Sequence, residues 1–204
     1  DKEVFMSASP LLEKLIKSLQ IMPGIGPRSA VRIAYHLLDR RREESVQLAD
    51  ILKEAVEKIG LCSHCRDYSE EEVCPICASF KRKQSGQLCV VETPSDLLAV
   101  ESSGNYFGQY FVLHGHLSPI DGVGPTELGI DILMKRLSAG EVKELILATN
   151  PTVESDATAS YIAALAKRYN ISVSKLASGV PLGGDLDNID EQTIAASLAH
   201  RRPY

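Results

Sequence analysis

The chain has 204 residues, and its 22 Lys and Arg against 27 Asp and Glu give a net charge of −5. That charge argues against a general basic coat for nucleic acid, and no apolar run approaches the ~20 residues that span a bilayer. The length allows one large domain or two small ones. Nothing near the N-terminus resembles a secretory signal, so we expect a soluble cytoplasmic protein with reduced cysteines.

The basic residues are concentrated at the N-terminal end. Residues 1–42 carry eight Lys and Arg against four Asp and Glu, whereas the remainder carries 14 against 23. A basic segment on an acidic body suggests a local contact with a polyanion, although a solvated helix face would give the same count.

Two helices are predicted in this basic segment. Leucine and isoleucine recur at helical spacing from Pro10 to about Gln20, which indicates an amphipathic helix. Residues 22–28 then read MPGIGPR. Pro27 suits the first turn of a second helix, which continues through Leu38.

The turn between these helices contains Gly24 and Gly26. A turn without side chains lets backbone N–H groups approach a phosphate at the positive end of the next helix. Arg28 and Arg32 share one face of that helix and can reach adjacent phosphates. The segment resembles a helix-hairpin-helix motif, which binds DNA without reading its sequence; a plain helical hairpin is the alternative.

A third predicted helix, Glu43 to Gly60, leads into two C-x-x-C pairs eight residues apart: Cys62 and Cys65, then Cys74 and Cys77. Two facing turns with two thiolates each form a closed tetrahedral shell that suits structural Zn²⁺. The short spacing predicts a compact knuckle. Two disulfides or four unrelated thiols are the alternative, which a reducing cytosol disfavours.

Beyond the knuckle, a polar and basic stretch from Phe80 to Gln87 is interpreted as a linker or as the rim of the knuckle. Short apolar strands then alternate with helices, which indicates an α/β domain with a mainly parallel sheet. The predicted strands are Leu88–Val91, Tyr110–Leu113, Glu144–Thr149 and Ile171–Ser174, and the predicted helices are Pro94–Glu101, Thr126–Leu137 and Asp156–Tyr169.

Acidic residues follow two of these strands. Glu92 and Asp96 come after the first strand, and Glu154 and Asp156 come after the third. Ligands of parallel sheets gather at the carboxyl ends of strands, so neighbouring strands would bring the carboxylates into one crevice that suits Mg²⁺. The alternative is that these acids stabilise helix N-termini with no metal.

The order of these motifs resembles the RecR family, whose members place a helix-hairpin-helix and a four-cysteine knuckle before a short Toprim domain. In a Toprim domain, a Glu after one strand and an acidic pair after a later strand form an acidic site. Besides MPGIGP, the strings that carry the resemblance are LCVVE at 88–92, GHLSPIDGVGP at 115–125, LATNPTVE at 147–154 and GVPLGGDL at 179–186. The resemblance covers residues 9–203; residues 1–5 match nothing in the family, and the sequence leaves open whether they are native.

The resemblance implies a multi-module α+β chain. The expected modules are a helix-hairpin-helix DNA-binding module at 1–60, a four-cysteine zinc knuckle at 61–84, a Toprim domain at 85–180 and an oligomerisation segment at 181–204. In the last segment, Ile194 and Leu198 offer an apolar face. The implied assembly is a ring, typically a homotetramer.

The implied function is a non-catalytic one in recombinational DNA repair, in a bacterial cytoplasm and at the nucleoid. Such a ring clamps DNA without sequence preference and works with RecO and RecF to load RecA at single-stranded gaps. The implied sites are DNA contacts at Gly24, Gly26, Arg28 and Arg32, one structural Zn²⁺ at the four cysteines, and a partner or Mg²⁺ surface at Glu92, Asp96, Glu154 and Asp156.

The alternative is a Mg²⁺-dependent Toprim nuclease or strand-passage enzyme. In that reading Glu92 is the general acid/base, and Glu154 and Asp156 are the metal ligands. The order of the motifs and the lack of any other catalytic set favour the mediator.

Overall fold

The computed structural model describes residues 9–177, 179–180 and 186–199. These residues fall into two compact units that divide between Lys58 and Ile59. Residues 1–8 lie outside the described residues, and so do two parts of the expected oligomerisation segment, 181–185 and 200–204. Within the described part of the chain, no helix is both long enough and apolar enough to span a bilayer.

The first unit consists of three helices: α1 (Pro10–Leu19), α2 (Pro27–Arg40) and α3 (Arg42–Lys58). The hydroxyl of Ser9 caps α1 by accepting a hydrogen bond from the Leu12 N–H at 3.3 Å. Small side chains let α1 and α2 pack closely, and the core between them is formed by Ile16, Ala30 and Ala34. All three predicted helices are confirmed, with boundaries that differ by one or two residues.

The second unit begins with a knuckle made of four short elements. Strands β1 (Gly60–Leu61) and β2 (Tyr68–Ser69) pair antiparallel, and helices α4 (Pro75–Ala78) and α5 (Phe80–Gln84) follow. Most of the stretch interpreted as a linker or as the rim of the knuckle therefore forms a helix that directly follows α4 of the knuckle.

A four-stranded sheet forms the centre of the second unit. Its strands are β3 (Gln87–Val91), β4 (Gln109–Val112), β5 (Glu144–Ala148) and β6 (Ser172–Lys175), in the spatial order β4-β3-β5-β6. Every neighbouring pair is parallel, which confirms the predicted α/β architecture. Three helices pack on the sheet: α6 (Pro94–Ser102), α7 (Ile130–Ser138) and α8 (Val153–Ala166); a further helix, α9 (Glu191–Ala199), follows later in the chain.

Strands β3, β4 and β5 are largely buried on both faces, which explains why they are mostly apolar, whereas the edge strand β6 is partly exposed and reads SVSK. On one face, strand residues such as Leu88 and Phe111 pack against α7 and α8, including Leu133 and Ile162. On the other face, the neighbouring strand residues pack against Leu97 of α6. This arrangement leaves the carboxyl ends of the strands at one edge of the sheet.

Two helices begin at different residues from those predicted. Helix α7 begins at Ile130 rather than Thr126, because Gly129 precedes it with a φ of +65°, a left-handed conformation that no helix continues through. Helix α8 begins at Val153 rather than Asp156, because the hydroxyl of Thr152 accepts a hydrogen bond from the Ser155 N–H at 3.2 Å and caps the helix.

A largely buried polar network joins α5, α6 and β4. Arg82 forms an ion pair with Glu101 and donates a hydrogen bond to the Gly108 carbonyl at 3.0 Å, while the Tyr110 hydroxyl donates to Glu101 at 2.7 Å. Burial by itself would raise the pKa of Glu101, but the hydrogen bond from Tyr110 and the pair with Arg82 outweigh it and hold the pKa below its usual range.

Glu101→Gln is expected to destabilise the protein by about 1–2 kcal/mol at neutral pH and less in acid. A lowered folded-state pKa means that the stabilising contribution is present above the ordinary value of 4.5 and is lost as the pH falls through the folded pKa. Thermal unfolding of both proteins, measured from neutral pH down to about pH 3, should show a gap that narrows in acid. The matched control is Glu141→Gln, which breaks a more exposed pair with Lys83; a gap for Glu101→Gln that stays constant with pH would contradict this account.

Candidate metal centre and nucleic-acid interface

The four cysteines of the knuckle form one compact, buried cluster. Their ligand atoms all lie within 4.8 Å of one another, and no residue of the cluster is more than 6% exposed. The sulfurs of Cys65 and Cys74 are 3.5 Å apart, and all the cysteines are free thiols. Four sulfurs at this separation, with no open position, fit the tetrahedral shell of a structural Zn²⁺ site.

The surroundings of the cluster favour the thiolate form at Cys62 and disfavour it at Cys65. Burial would raise the pKa of Cys62, but N–H groups of Cys74, Cys65 and His64 point at its sulfur, and the pKa falls to about 7. The pKa of Cys65 is raised, first by its hydrogen bond with Cys77 and then by burial. Four thiolates packed together therefore need a cation, and a divalent metal supplies that charge.

The knuckle is hydrogen-bonded to β4, the edge strand of the sheet. Three successive knuckle carbonyls are hydrogen-bonded to groups of the sheet and its helices. The N–H of Val112 in β4 donates to the Cys65 carbonyl at 2.8 Å. The carbonyls on either side have side-chain partners: Arg136 Nη1 donates to His64 O at 3.2 Å, and His114 Nε2 lies 2.6 Å from Arg66 O. The contact with Cys65 occupies the N–H of Val112, a backbone group of an edge strand that would otherwise be open to pairing with another chain. The metal site thus lies against the sheet rather than on a separate lobe.

Arg66 and Ile76 strengthen this attachment. Arg66 has a φ of +63° and donates a hydrogen bond to the Glu127 carbonyl at 3.0 Å, near the start of α7. Ile76 packs both against the cysteine cluster and against the sheet core that contains Leu97 and Tyr110. The knuckle and the sheet therefore share part of one hydrophobic core.

The glycine turn of the first unit is short, and the space beside both of its glycines is open. Gly24 has a φ of +78°, in the left-handed region that favours glycine, and a Cβ on either Gly24 or Gly26 would contact nothing within 4 Å. The carbonyl of Gly26 accepts from the Ala30 N–H at 2.9 Å and begins α2, which has no acidic residue in its first turn. The positive end of α2 is therefore uncompensated.

Arg28 and Arg32 extend from this helix into solvent. Both are exposed, and neither forms an ion pair with any residue that the structure describes. Two unpaired guanidinium groups beside an open glycine turn can contact phosphates. The structure therefore places all four expected DNA-contact residues at one end of α2.

The acidic residues after β3 and β5 do follow neighbouring strands, as the prediction requires. Glu92 is only 4% exposed, and its carboxylate accepts hydrogen bonds from the N–H of Asn150 at 2.7 Å and from its side-chain amide at 3.1 Å. The His116 ring lies 3.8 Å from the same carboxylate. Asn150 and His116 are not among the expected site residues, although both lie in strings that carry the family resemblance.

The other three acids serve different roles. Asp96 accepts hydrogen bonds from the Thr93 N–H at 2.9 Å and hydroxyl at 2.8 Å, so it completes a capping box at the start of α6. Asp156 pairs with Lys175 of β6, and Glu154 is exposed. Among the described residues, the cysteines form the cluster whose ligand atoms lie within 4.8 Å; these acids do not.

Family models match almost the whole chain in consecutive segments. The matches are RecR, helix-hairpin-helix at residues 12–56; RecR, four-cysteine zinc finger domain at 59–79; Toprim domain at 86–177; and RecR, C-terminal at 179–202. The chain belongs to the RecR family. This membership supports a role in recombination repair, and the hairpin and Toprim segments suggest binding to nucleic acid.

The match to the RecR zinc finger covers the four buried cysteines. The match and the buried cluster together support a structural Zn²⁺, which Cys62, Cys65, Cys74 and Cys77 would hold. Its chemistry there is to fix the fold of the knuckle, because a shell of four thiolates leaves no position for substrate.

Proposed function

We propose that this RecR-family chain is a non-catalytic, DNA-binding mediator of recombinational repair. The observation that carries the proposal is the pair of exposed arginines, Arg28 and Arg32, beside the open turn formed by Gly24 and Gly26. Contacts of this kind recognise the phosphate backbone and position DNA without reading its sequence. The protein acts in the bacterial cytoplasm, at the nucleoid.

A homotetrameric ring is part of the proposal because one chain offers few DNA contacts. The chain carries a net charge of −5, so affinity must come from the hairpins repeated around an assembly. Linked sites raise overall affinity without new contacts at any one of them. The ring clamps DNA and, with RecO and RecF, helps to load RecA at single-stranded gaps.

The acids that follow β3 and β5, called the acidic edge below, are proposed as a partner surface rather than an active site; they are Glu92, Asp96, Glu154 and Asp156. Glu92 is held by Asn150, Asp96 caps α6, and Asp156 pairs with Lys175. A catalytic use of these carboxylates would require them to leave these partners and converge on Mg²⁺. Their present partners support a structural role for Glu92 and Asp96, and leave Glu154 exposed with no ion pair among the described residues.

The test is incubation of labelled, gapped DNA with the protein and Mg²⁺, with thermal unfolding measured in parallel. We expect bound but intact DNA, and no rise in melting temperature on addition of Mg²⁺. Glu92→Ala is expected to destabilise the protein by about 1–3 kcal/mol, because it leaves the Asn150 N–H without its acceptor.

Mg²⁺ binding at the acidic edge would instead raise the melting temperature of the parent protein and not that of a Glu154→Gln/Asp156→Asn variant. If the parent protein cleaves DNA and Glu92→Gln abolishes that cleavage, the chain acts as a Toprim nuclease and the proposed mediator function is wrong. Either result is separable from simple misfolding, because the Gln and Asn variants change little in size.

A further inference from the structure

A cationic cleft lies in the second unit, between the zinc knuckle and α7, with a volume of about 320 Å³. Its lining includes three permanently basic side chains, Lys83, Lys135 and Arg136, and one acid, Glu141. Residues 59–204 as a whole carry 12 Lys and Arg against 18 Asp and Glu. The cleft therefore carries net positive charge, although residues 59–204 as a whole carry net negative charge.

Arg136 is held rigidly in this cleft by neutral acceptors. It donates to the His64 carbonyl at 3.2 Å, to the Tyr110 carbonyl at 2.8 Å and to the side-chain oxygen of Gln109 at 2.7 Å. No described carboxylate forms an ion pair with it. Its guanidinium is thus fixed in position and is not paired with a described carboxylate.

The two lysines differ in how available they are. Lys135 is exposed and forms no ion pair with a described residue, whereas Lys83 pairs with Glu141 at 2.9 Å. That pair is half-exposed and therefore weak enough for a bound anion to compete with it. Glu141 accordingly opposes the binding of an anion. Removing its charge is expected to increase the affinity of the cleft for an anion, whereas removing a lysine is expected to decrease it.

Zinc contributes negative charge next to this cleft, since Cys77 is one of its lining residues. A Zn²⁺ ion bound by four thiolates has two net negative charges, so some of the basic charge balances the metal centre. Arg136, half-buried and bonded to the knuckle carbonyl of His64, is the side chain best placed for that balance. Lys135 is exposed and makes no such contact, so its charge is available to a ligand.

We propose that this cleft binds a phosphate of the nucleic-acid backbone, as a contact additional to the glycine hairpin. The inference rests on the proposed DNA binding and gives it a second site on the chain. The volume lies at the small end of ligand pockets, about 300–1,000 Å³, and so suits a phosphate with its sugar better than a protein segment. A contact to a phosphate carries no sequence information, so binding at the cleft is expected to be independent of DNA sequence.

The test measures binding of fluorescein-labelled oligothymidylate to the full chain over a range of salt concentrations. Lys135→Glu is expected to weaken binding by at least about fivefold at ~0.1 M salt and to reduce the slope of log K against log salt by about 0.7. Lys167→Glu is the matched control, because Lys167 is exposed on the turn after α8 and the charge change is identical. Glu141→Gln is expected to tighten binding.

Equal affinities for Lys135→Glu and Lys167→Glu would overturn the inference, and so would loss of zinc from Lys135→Glu, measured as metal content. Replacing Arg28 and Arg32 separates this inference from the proposed function. If that change leaves the affinity for DNA intact while Lys135→Glu weakens it, the result supports a phosphate contact at the cleft and contradicts a DNA contact at the glycine hairpin. If the parent chain binds no oligothymidylate, both are overturned.

Discussion

A variant in which Cys62 and Cys77 are both replaced by serine is expected to lose its zinc and to melt about 10 °C or more below the parent protein. The reason is that the knuckle is part of the folded sheet unit. Three knuckle carbonyls, those of residues 64–66, have hydrogen-bond partners beside or on β4. Each lost bond costs about 1 kcal/mol, and each kcal/mol lowers the melting temperature by about 2–4 °C in a chain of this size.

Loss of the metal also removes folding free energy directly, since closed zinc sites contribute to folding. Ile76, which packs against both the cysteines and the sheet core, should become exposed. Hydrogen exchange in the variant is therefore expected to increase in β4 and β3 as well as in the knuckle. Treatment of the parent protein with a chelator should produce the same pattern without any substitution.

Cys89→Ala is the matched control, because Cys89 is a buried free thiol in β3 that does not belong to the metal cluster. It should retain one zinc per chain and lose little stability. A Cys62→Ser/Cys77→Ser protein whose sheet melts and exchanges like the parent would show that the knuckle folds independently of the sheet.

The second large effect is expected for Arg28→Ala/Arg32→Ala, which should weaken binding to single-stranded DNA by about 25-fold at ~0.1 M salt. Each phosphate contact contributes about 0.7 to the slope of log K against log salt for a single strand, which is about fivefold at that salt. The loss should be the same for every DNA sequence, because phosphate contacts carry no sequence information. Fluorescence anisotropy titrations at several salt concentrations measure both the affinity and the slope.

Arg40→Ala/Arg41→Ala is the control for net charge. These two arginines lie at the other end of α2 and already pair with nearby acids, Asp39 and Glu44. Their removal costs the same two positive charges but should change affinity little. An equal loss in both double variants would assign the effect to general charge and remove the glycine turn from the account.

The sequence is sufficient to predict the elements whose cause is local. The apolar strands, the helices flanking the glycine turn, and the cysteine spacing all carry their own signals, and each is present in the structure. Proximity of Glu92 to the end of β5 also follows from the parallel topology. The local features depend on periodicity and spacing, which a single sequence reveals. That β3 and β5 are neighbours is a matter of strand order, which the sequence left as a condition and the structure supplies.

The remaining features depend on contacts between distant residues. The stretch after Cys77 is polar and so is interpreted as a linker or as the rim of the knuckle, yet Arg82 within it is largely buried and pairs with Glu101. Asn150 carries no chemical signal of its own, because an amide after a strand is common and its role depends on Glu92, 58 residues away. The start of α7 depends on the left-handed conformation of Gly129, which a glycine permits but does not require.

Light scattering coupled to size exclusion, with and without gapped DNA and Mg²⁺, tests the proposed clamp most directly. The account predicts a species of four times the 22.2 kDa chain mass that gains the mass of the DNA and elutes with the DNA uncut. A monomer that leaves the DNA unbound, or a tetramer that returns cleaved DNA, would contradict it.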